Sequence, residues 1–305
     1  RMKDKTSVQN GKWYGGEPIW VAAVKNGLKT AAYYFVGTEA SIQKIPLTYW
    51  KEFDSSVPGE ERVNQVLRWL ALPEEERPQF ITLYFEDVDT AAHRFGPDSK
   101  ESIKAIKKVD NHLQQLISGL NKLPFQNNIY TVIVSDHGLI KTSKDSEVFI
   151  IDNIINLDGL NIVDHGSVSF VYFPEQDLHR AKNIKNTINK SWKHGRAMLL
   201  SEAPKNWHIS KNGGYADLII QANEGHLIYS TASRVSKNLV GHHGWTPDSS
   251  GMHAIFIADG PRIPQGLKLK SINSVDVYPL IMELLNLPIT SPIDGDTKKL
   301  VKLLH

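Results

Sequence analysis

The sequence predicts an α/β protein built on a mostly parallel sheet with helices on both faces. Two observations predict it. Short apolar runs alternate with amphipathic stretches of helical period. Several of those runs also stop abruptly on acidic or imidazole side chains, as strands do where they deliver ligands at the carboxyl end of an open sheet. The 305 residues are enough for one large domain or two small ones, and the chain is read as one domain over 1–305.

The elements follow in order. "PIWVAAV" (18–24) reads as a helix opened by Pro18, and "TAAYYFVG" (30–37) as a strand ending at Gly37. "GEERVNQVLRWLAL" (59–72) is an amphipathic helix with Val63, Val66, Leu67 and Leu70 on one stripe. "QFITLYF" (79–85) is a short buried strand. A long helix runs from Ser99 to Leu123, with Ile103, Ile106, Val109, Leu113, Leu116, Ile117 and Leu120 at helical spacing. "IYTVIVS" (129–135) is the next strand. Between 141 and 235 the pattern loosens into shorter elements, including the alternating strand "SVSFVYFP" (167–174), and reads as an insertion or cap region. "HAIFIADGP" (253–261) restores the strand-to-loop rhythm, and "SVDVYPLIMELLNL" (274–287) is a closing helix.

Composition narrows the chemistry. With 35 basic and 33 acidic side chains the net charge is +2, which argues against a general nucleic-acid or membrane-surface binder. No apolar stretch approaches the roughly 20 residues that span a bilayer. There is no cysteine, so any metal must be held by oxygen and imidazole, and 12 histidines are available.

Three strand ends carry the candidate ligands. "YFEDVDTAAHRFGP" (84–97) places Glu86, Asp87 and Asp89 after a strand and His93 four residues beyond Asp89. Asp89 and His93 can reach one ion if the segment turns helical. Asp136 and His137 close the strand 129–135, with Gly138 permitting a turn that faces both inward. His242 and His243, in "GHHGWTP", precede the strand at 253. Each piece has a plain alternative, since acids after strands are usually solvated and adjacent histidines are often exposed. A second Asp-His-Gly, at Asp164 to Gly166, precedes an alternating strand and reads as a hairpin or loop feature. The conjunction of three such ends is what points to zinc, manganese or a related ion.

An ordered series of segments resembles the nucleotide pyrophosphatase/phosphodiesterase family of the alkaline phosphatase superfamily. These are "WYGGEPIW", "SSVPGEERVNQVLRWLALPEEERPQFITLYFEDVDTAAHRFGPDS", "VSDHG", "GHHGW", "MHAIFIADGP" and "SINSVDVYPLIMELLNLP". The resemblance implies an alkaline-phosphatase-like α/β/α sandwich and two zinc ions. Asp89, His93 and His243 would hold one zinc, and Asp136 and His137 would supply part of the other. His243 is preferred over His242 because it matches the family's His-Gly-aromatic motif, and Glu86 and Asp87 would then support the ligands or the fold. Phe53 and Tyr84 fall on the family's base-stacking positions. Val88 stands where the family commonly has proline, Leu139 where it has methionine, and "FVGTEAS" (35–41) departs from Trp-Pro-Gly-Ser.

The implied activity is zinc-dependent hydrolysis of a nucleotide phosphodiester or pyrophosphate, a small-molecule substrate. The alternatives are a lysophospholipid or choline phosphodiesterase and a catalytically inactive metal-binding relative. The family's threonine nucleophile and its preceding aspartate have no match here. Only 16 residues precede Glu17, and Thr6 and Thr30 are poor candidates. A missing N-terminal segment is the expectation that follows. The family also implies export, to the periplasm or medium, and the lack of cysteine resembles bacterial members more than disulfide-rich animal ones.

Overall fold

A computed structural model describes residues 5–142, 148–174, 177–209, 214–236 and 240–304. Among the described residues, the α-helices are α1 Lys5–Val8, α2 Ile19–Lys25, α3 Gly59–Leu70, α4 Asp87–Phe95, α5 Lys100–Leu120, α6 Leu178–Ser191 and α7 Val277–Leu284. The strands are β1 Thr30–Tyr33, β2 Tyr49–Lys51, β3 Phe80–Leu83, β4 Thr131–Val134, β5 Ile140–Lys141, β6 Phe149–Ile150, β7 Asn161–Asp164, β8 Val168–Tyr172, β9 Gly195–Leu199, β10 Leu218–Ala222, β11 Ile228–Tyr229, β12 Gly241–His242 and β13 Phe256–Asp259. The chain divides into two compact units. One comprises Arg1–Glu86, Lys107–Ile133 and Ile257–His305, and the other Asp87–Ile106 and Val134–Phe256.

The first unit holds the parallel sheet β2-β1-β3, with Ala31 opposite Tyr49 and Ile81. β1 is central and wholly buried, and its Ala31 and Ala32 give helices close access to both faces. One face packs on Val63, Val66 and Trp69 of α3 with Leu116 and Leu120 of α5, and the other on Trp20, Val21, Ile42 and Leu47. α2 starts after Pro18, whose fixed φ suits a helix entrance. α3 starts after Pro58 and carries Glu60 and Glu61 in its first turn, where the helix dipole favours anions.

The strand expected over 30–37 stops at Tyr33, because Tyr34 turns to a φ of 61°. On α5 the helical spacing holds, yet Ile103, Ile106 and Ile117 remain 47%, 51% and 43% exposed. A buried clamp completes this unit. The Arg62 guanidinium, 2% exposed, donates to both oxygens of Glu86 (2.5 and 2.8 Å), to the Val57 carbonyl (3.0 and 3.2 Å) and to the Tyr84 carbonyl (3.1 Å).

The second unit is organised by the antiparallel sheet β7-β8-β10-β9. α6 covers one face, burying Ala181, Ile184 and Ile188 against Val171, Ala197, Leu218 and Ile220. Its first turn is capped by Asp177, which accepts from the Arg180 N–H at 2.9 Å. The opposite face buries Val168, Met198 and Ile219. The region 141–235 thus contributes an antiparallel sheet beside the parallel order expected of the rest.

Candidate metal centre

Every predicted metal ligand lies in the second unit. α4 puts Asp89 and His93 one turn apart, with Asp89 Oδ1 3.3 Å from His93 Nε2. The other ring nitrogen of His93, Nδ1, lies 2.8 Å from the Gly241 carbonyl. A proton on Nδ1 makes that bond and leaves the Nε2 lone pair free, the usual tautomer of a ligating histidine. Segment 240–241 lies flat on the end of α4. The Val240 N–H donates to the His93 carbonyl at 2.8 Å, and a Cβ on Gly241 would meet the Ala92 carbonyl oxygen at 2.3 Å.

β12 pairs antiparallel with β5, which follows Asp136-His137-Gly138, so the two ligand loops are tied by backbone. Thr142 reinforces the pairing, donating from both N–H and Oγ1 to the Val240 carbonyl at 2.9 Å. His243 follows β12, with Nε2 4.0 Å from Asp89 Oδ1. Asp89, His93 and His243 each offer one ligand atom, and all three atoms lie within 4.8 Å of one another.

The His137 ring stacks on His243, centroids 3.6 Å apart and 14° from parallel, and its Nε2 is 3.4 Å from Asp136 Oδ2. Gly138 is not among the glycines with positive φ. Its need is close approach, since a Cβ there would sit 2.2 Å from the Gly251 carbonyl oxygen. His242 points elsewhere. It is buried, edge-on to His93 at 5.6 Å and to Trp245 at 6.0 Å.

The electrostatics favour neutral imidazole. Burial, with His137, His93, His242 and His165 adding repulsion, holds His243 down at about 3. Burial also lowers His242, with His93 and His165 contributing. A neutral ring is the form that ligates. The fit to a cation rests on Asp89. Its Oδ1 is inaccessible to water and has no hydrogen-bond partner, an expensive state for a carboxylate oxygen unless a cation meets it. Tetrahedral bonds of about 2.0–2.1 Å put neighbouring ligand atoms roughly 3.4 Å apart, close to the observed 3.3 Å.

Of the remaining predicted residues, Glu86, Phe53 and Tyr84 lie in the first unit and Asp87 in the second. Glu86 is held by Arg62. Asp87 is the first residue of α4. Phe53 is 43% exposed, and Tyr84 is half-buried with its N–H on the Tyr33 carbonyl at 3.1 Å. Thr30 is wholly buried and exchanges hydrogen bonds with Thr48. Sequence reasoning missed Tyr34, which it placed inside a strand. Its ring meets Phe53 edge-on at 5.2 Å and lies under the Arg62 guanidinium at 4.9 Å, and burial pushes its hydroxyl up to about 12.

Comparison with known proteins decides the lineage. Residues 1–246 match the family model for type I phosphodiesterase/nucleotide pyrophosphatase. The chain belongs to that family. It is 31% identical to a venom phosphodiesterase of Crotalus durissus collilineatus, over 98% of this chain and 36% of the relative. It is 30% identical to human ectonucleotide pyrophosphatase/phosphodiesterase family member 1, over 91% of this chain and 31% of that protein. The chain therefore spans about a third of the length of the curated relatives it matches.

Among solved structures, an inactive threonine-to-alanine variant of murine ectonucleotide pyrophosphatase/phosphodiesterase 5 in complex with AMP superposes with a TM-score of 0.84. It is 27% identical and covers 94% of this chain and 75% of that one. The human counterpart gives a TM-score of 0.85 at 28% identity. The alkaline-phosphatase-like α/β fold of the family member is thereby shared.

Proposed function

We propose that this protein hydrolyses nucleotide phosphodiester or pyrophosphate bonds at a two-zinc site. The observation that carries the reading is the Asp89–His93–His243 cluster with its orphaned carboxylate oxygen. These three residues would hold one zinc, and Asp136 and His137 would contribute to the other. Bound zinc supplies fixed positive charge to the phosphoryl oxygens and lowers the pKa of a coordinated water.

The chain's own part is positional. The Gly241 carbonyl fixes the His93 tautomer, and the β5–β12 pairing holds the two ligand loops together. Phe53 and Tyr84 would contact the base, a role worth about 1–3 kcal/mol for a stacked nucleobase. The AMP complex of the murine relative supports a nucleotide over a lipid-type diester. We assign no nucleophile among the described residues.

Export fits the venom relatives, and among the described residues no helix is long and apolar enough to cross a membrane. The region 141–235 is read as a cap-like insertion within one catalytic domain.

The test is hydrolysis of a chromogenic p-nitrophenyl nucleotide ester by the naturally produced protein, with zinc and after chelation. Turnover restored by zinc and abolished in His93→Ala is expected. Zinc binding without turnover would overturn the enzymatic reading and leave a metal-binding relative.

A further inference from the structure

The second Asp-His-Gly stands directly beneath the candidate metal loop. Asp164 ends β7 and Val168 begins β8, so residues 165–167 form the hairpin turn, closed by the His165 N–H on the Val168 carbonyl at 2.9 Å. The Asp164 carboxylate anchors it. It accepts from Ser169 Oγ (2.8 Å), from Ser230 N–H and Oγ (3.0 and 2.5 Å) and from Arg234 Nη1 (3.2 Å). The Gly166 carbonyl accepts from the Ile228 N–H at 2.7 Å, and the Ser167 carbonyl from the Ala222 N–H at 2.8 Å.

Two glycines let the loop and the turn meet. Gly166 has a φ of +81°, and a Cβ there would sit 2.4 Å from His242 Nε2 and 2.8 Å from its Cε1. Gly244 has a φ of +90°, and a Cβ there would sit 2.5 Å from Ser167 Oγ. Gln221 bridges the contact, its Nε2 reaching the Ser167 carbonyl at 3.0 Å and the Gly244 carbonyl at 3.4 Å. His242 passes the contact on. Its ring rests edge-on against His93, and its Nδ1 contacts the His243 backbone, 2.8 Å from the carbonyl oxygen and 3.0 Å from the N–H nitrogen.

We infer that the Asp164–Ser167 turn is a seat that positions His243 and His93 for the metal, with Gly166 as a positioning residue acting through His242. The inference rests on the metal-site reading above. Ordinary contacts with a Cβ lie at 3.4–4 Å, so a methyl at 166 must drive the His242 ring away by about an ångström. Two neighbours of that ring, His93 and His243, are ligands of the same proposed ion. Misplaced support of this kind typically costs roughly 10–100-fold in metal affinity.

The test is zinc affinity by competition with a chromophoric chelator, read beside thermal stability. His93→Ala sets the baseline for loss of the site. Gly166→Ala is expected to weaken zinc binding by roughly tenfold or more. Gly159→Ala is the matched control. It strains a glycine of φ +71° in the same unit, but its Cβ would meet nothing nearer than Arg180 Nη1 at 3.9 Å. It should lose stability and keep zinc affinity.

Should Gly166→Ala fail to fold, Gln221→Met removes the amide's bonds to the Ser167, Ala222 and Gly244 carbonyls. The Gly244 bond is the one lost from the metal loop, about 1 kcal/mol, for an expected weakening of roughly fivefold. Wild-type affinity in Gly166→Ala, or in Gln221→Met when that variant stands in, overturns the inference alone, and so does equal weakening in Gly159→Ala. If His93→Ala binds zinc like the wild type, the metal-site reading fails and takes the seat with it.

Discussion

Replacing Arg62 with methionine should cost about 4 kcal/mol. Methionine keeps most of the apolar stem, so packing between α3 and the end of β3 is largely retained. What disappears is the charge that meets Glu86 with two hydrogen bonds and satisfies the carbonyls of Val57 and Tyr84. Removing one partner of a buried ion pair costs roughly 3–5 kcal/mol, because the other charge is stranded. Glu86 keeps 19% of its side-chain surface, which places its share at the lower end of that range, and the two carbonyls add to it. Against a typical margin of about 5–15 kcal/mol, such a loss is severe. Urea unfolding followed by circular dichroism should show a lower midpoint with an unchanged slope. The double variant Arg62→Met/Glu86→Leu should recover much of the loss, since no charge is then stranded. A single-variant loss below about 1 kcal/mol, or a double variant no better than the single, would refute the clamp.

Three further outcomes test the site. Asp89→Asn should leave metal-free stability unchanged or slightly raised, because the buried Oδ1 has no partner to lose. It should also abolish the thermal stabilisation given by zinc, about 2.7 kcal/mol at a hundred times Kd. Gly138→Ala should destabilise by about 2 kcal/mol or more in chemical denaturation, because its Cβ would press on backbone at Gly251 and His253. Acid should destabilise the metal-free protein. Between about 3 and 6.5 the unfolded chain takes up a proton at His243 that the folded chain refuses, so this stability is complete above pH 6.5 and is lost as pH falls towards 3. The full shift corresponds to about 5 kcal/mol, and screening of a ring still 32% exposed reduces it to roughly 2 kcal/mol. His243→Gln should flatten that part of the stability–pH curve.

The elements were legible where burial and period agree. β1, β3 and α3 fall within their predicted runs because each presents a face that must be covered. Their ends were less legible, because conformations such as that of Tyr34 depend on tertiary contacts that no local pattern records. The partner of Glu86 was invisible for the same reason. Arg62 is 24 positions away, and the amphipathic pattern of 59–72 gave it no place on the apolar stripe. Composition could place Asp89, His93 and the His242–His243 pair near strand ends. It could not choose between the two histidines; the resemblance to the family's His-Gly-aromatic motif preferred His243, and the fold sets His243 beside Asp89 while His242 faces Gly166.

The second Asp-His-Gly carries the more general lesson. As a tripeptide it is indistinguishable from the first; the alternating strand that follows it marked it as a hairpin, and the fold shows what is set against each copy. Asp164 is saturated by four hydrogen bonds, whereas Asp136 of the first copy is 73% exposed and accepts the adjacent His137 N–H at 3.1 Å. The buried oxygen without a hydrogen bond belongs to Asp89 on α4. An Asp whose bonds are all met by the protein is spent on the hairpin. A buried oxygen left unmet, beside a His243 ring held neutral by burial, is a standing cost that the fold alone does not repay. That imbalance is what supports the proposed cation at Asp89 and the structural task of Asp164. It also explains why the metal-free site should be the part of this unit most easily improved in stability and most readily ruined in function.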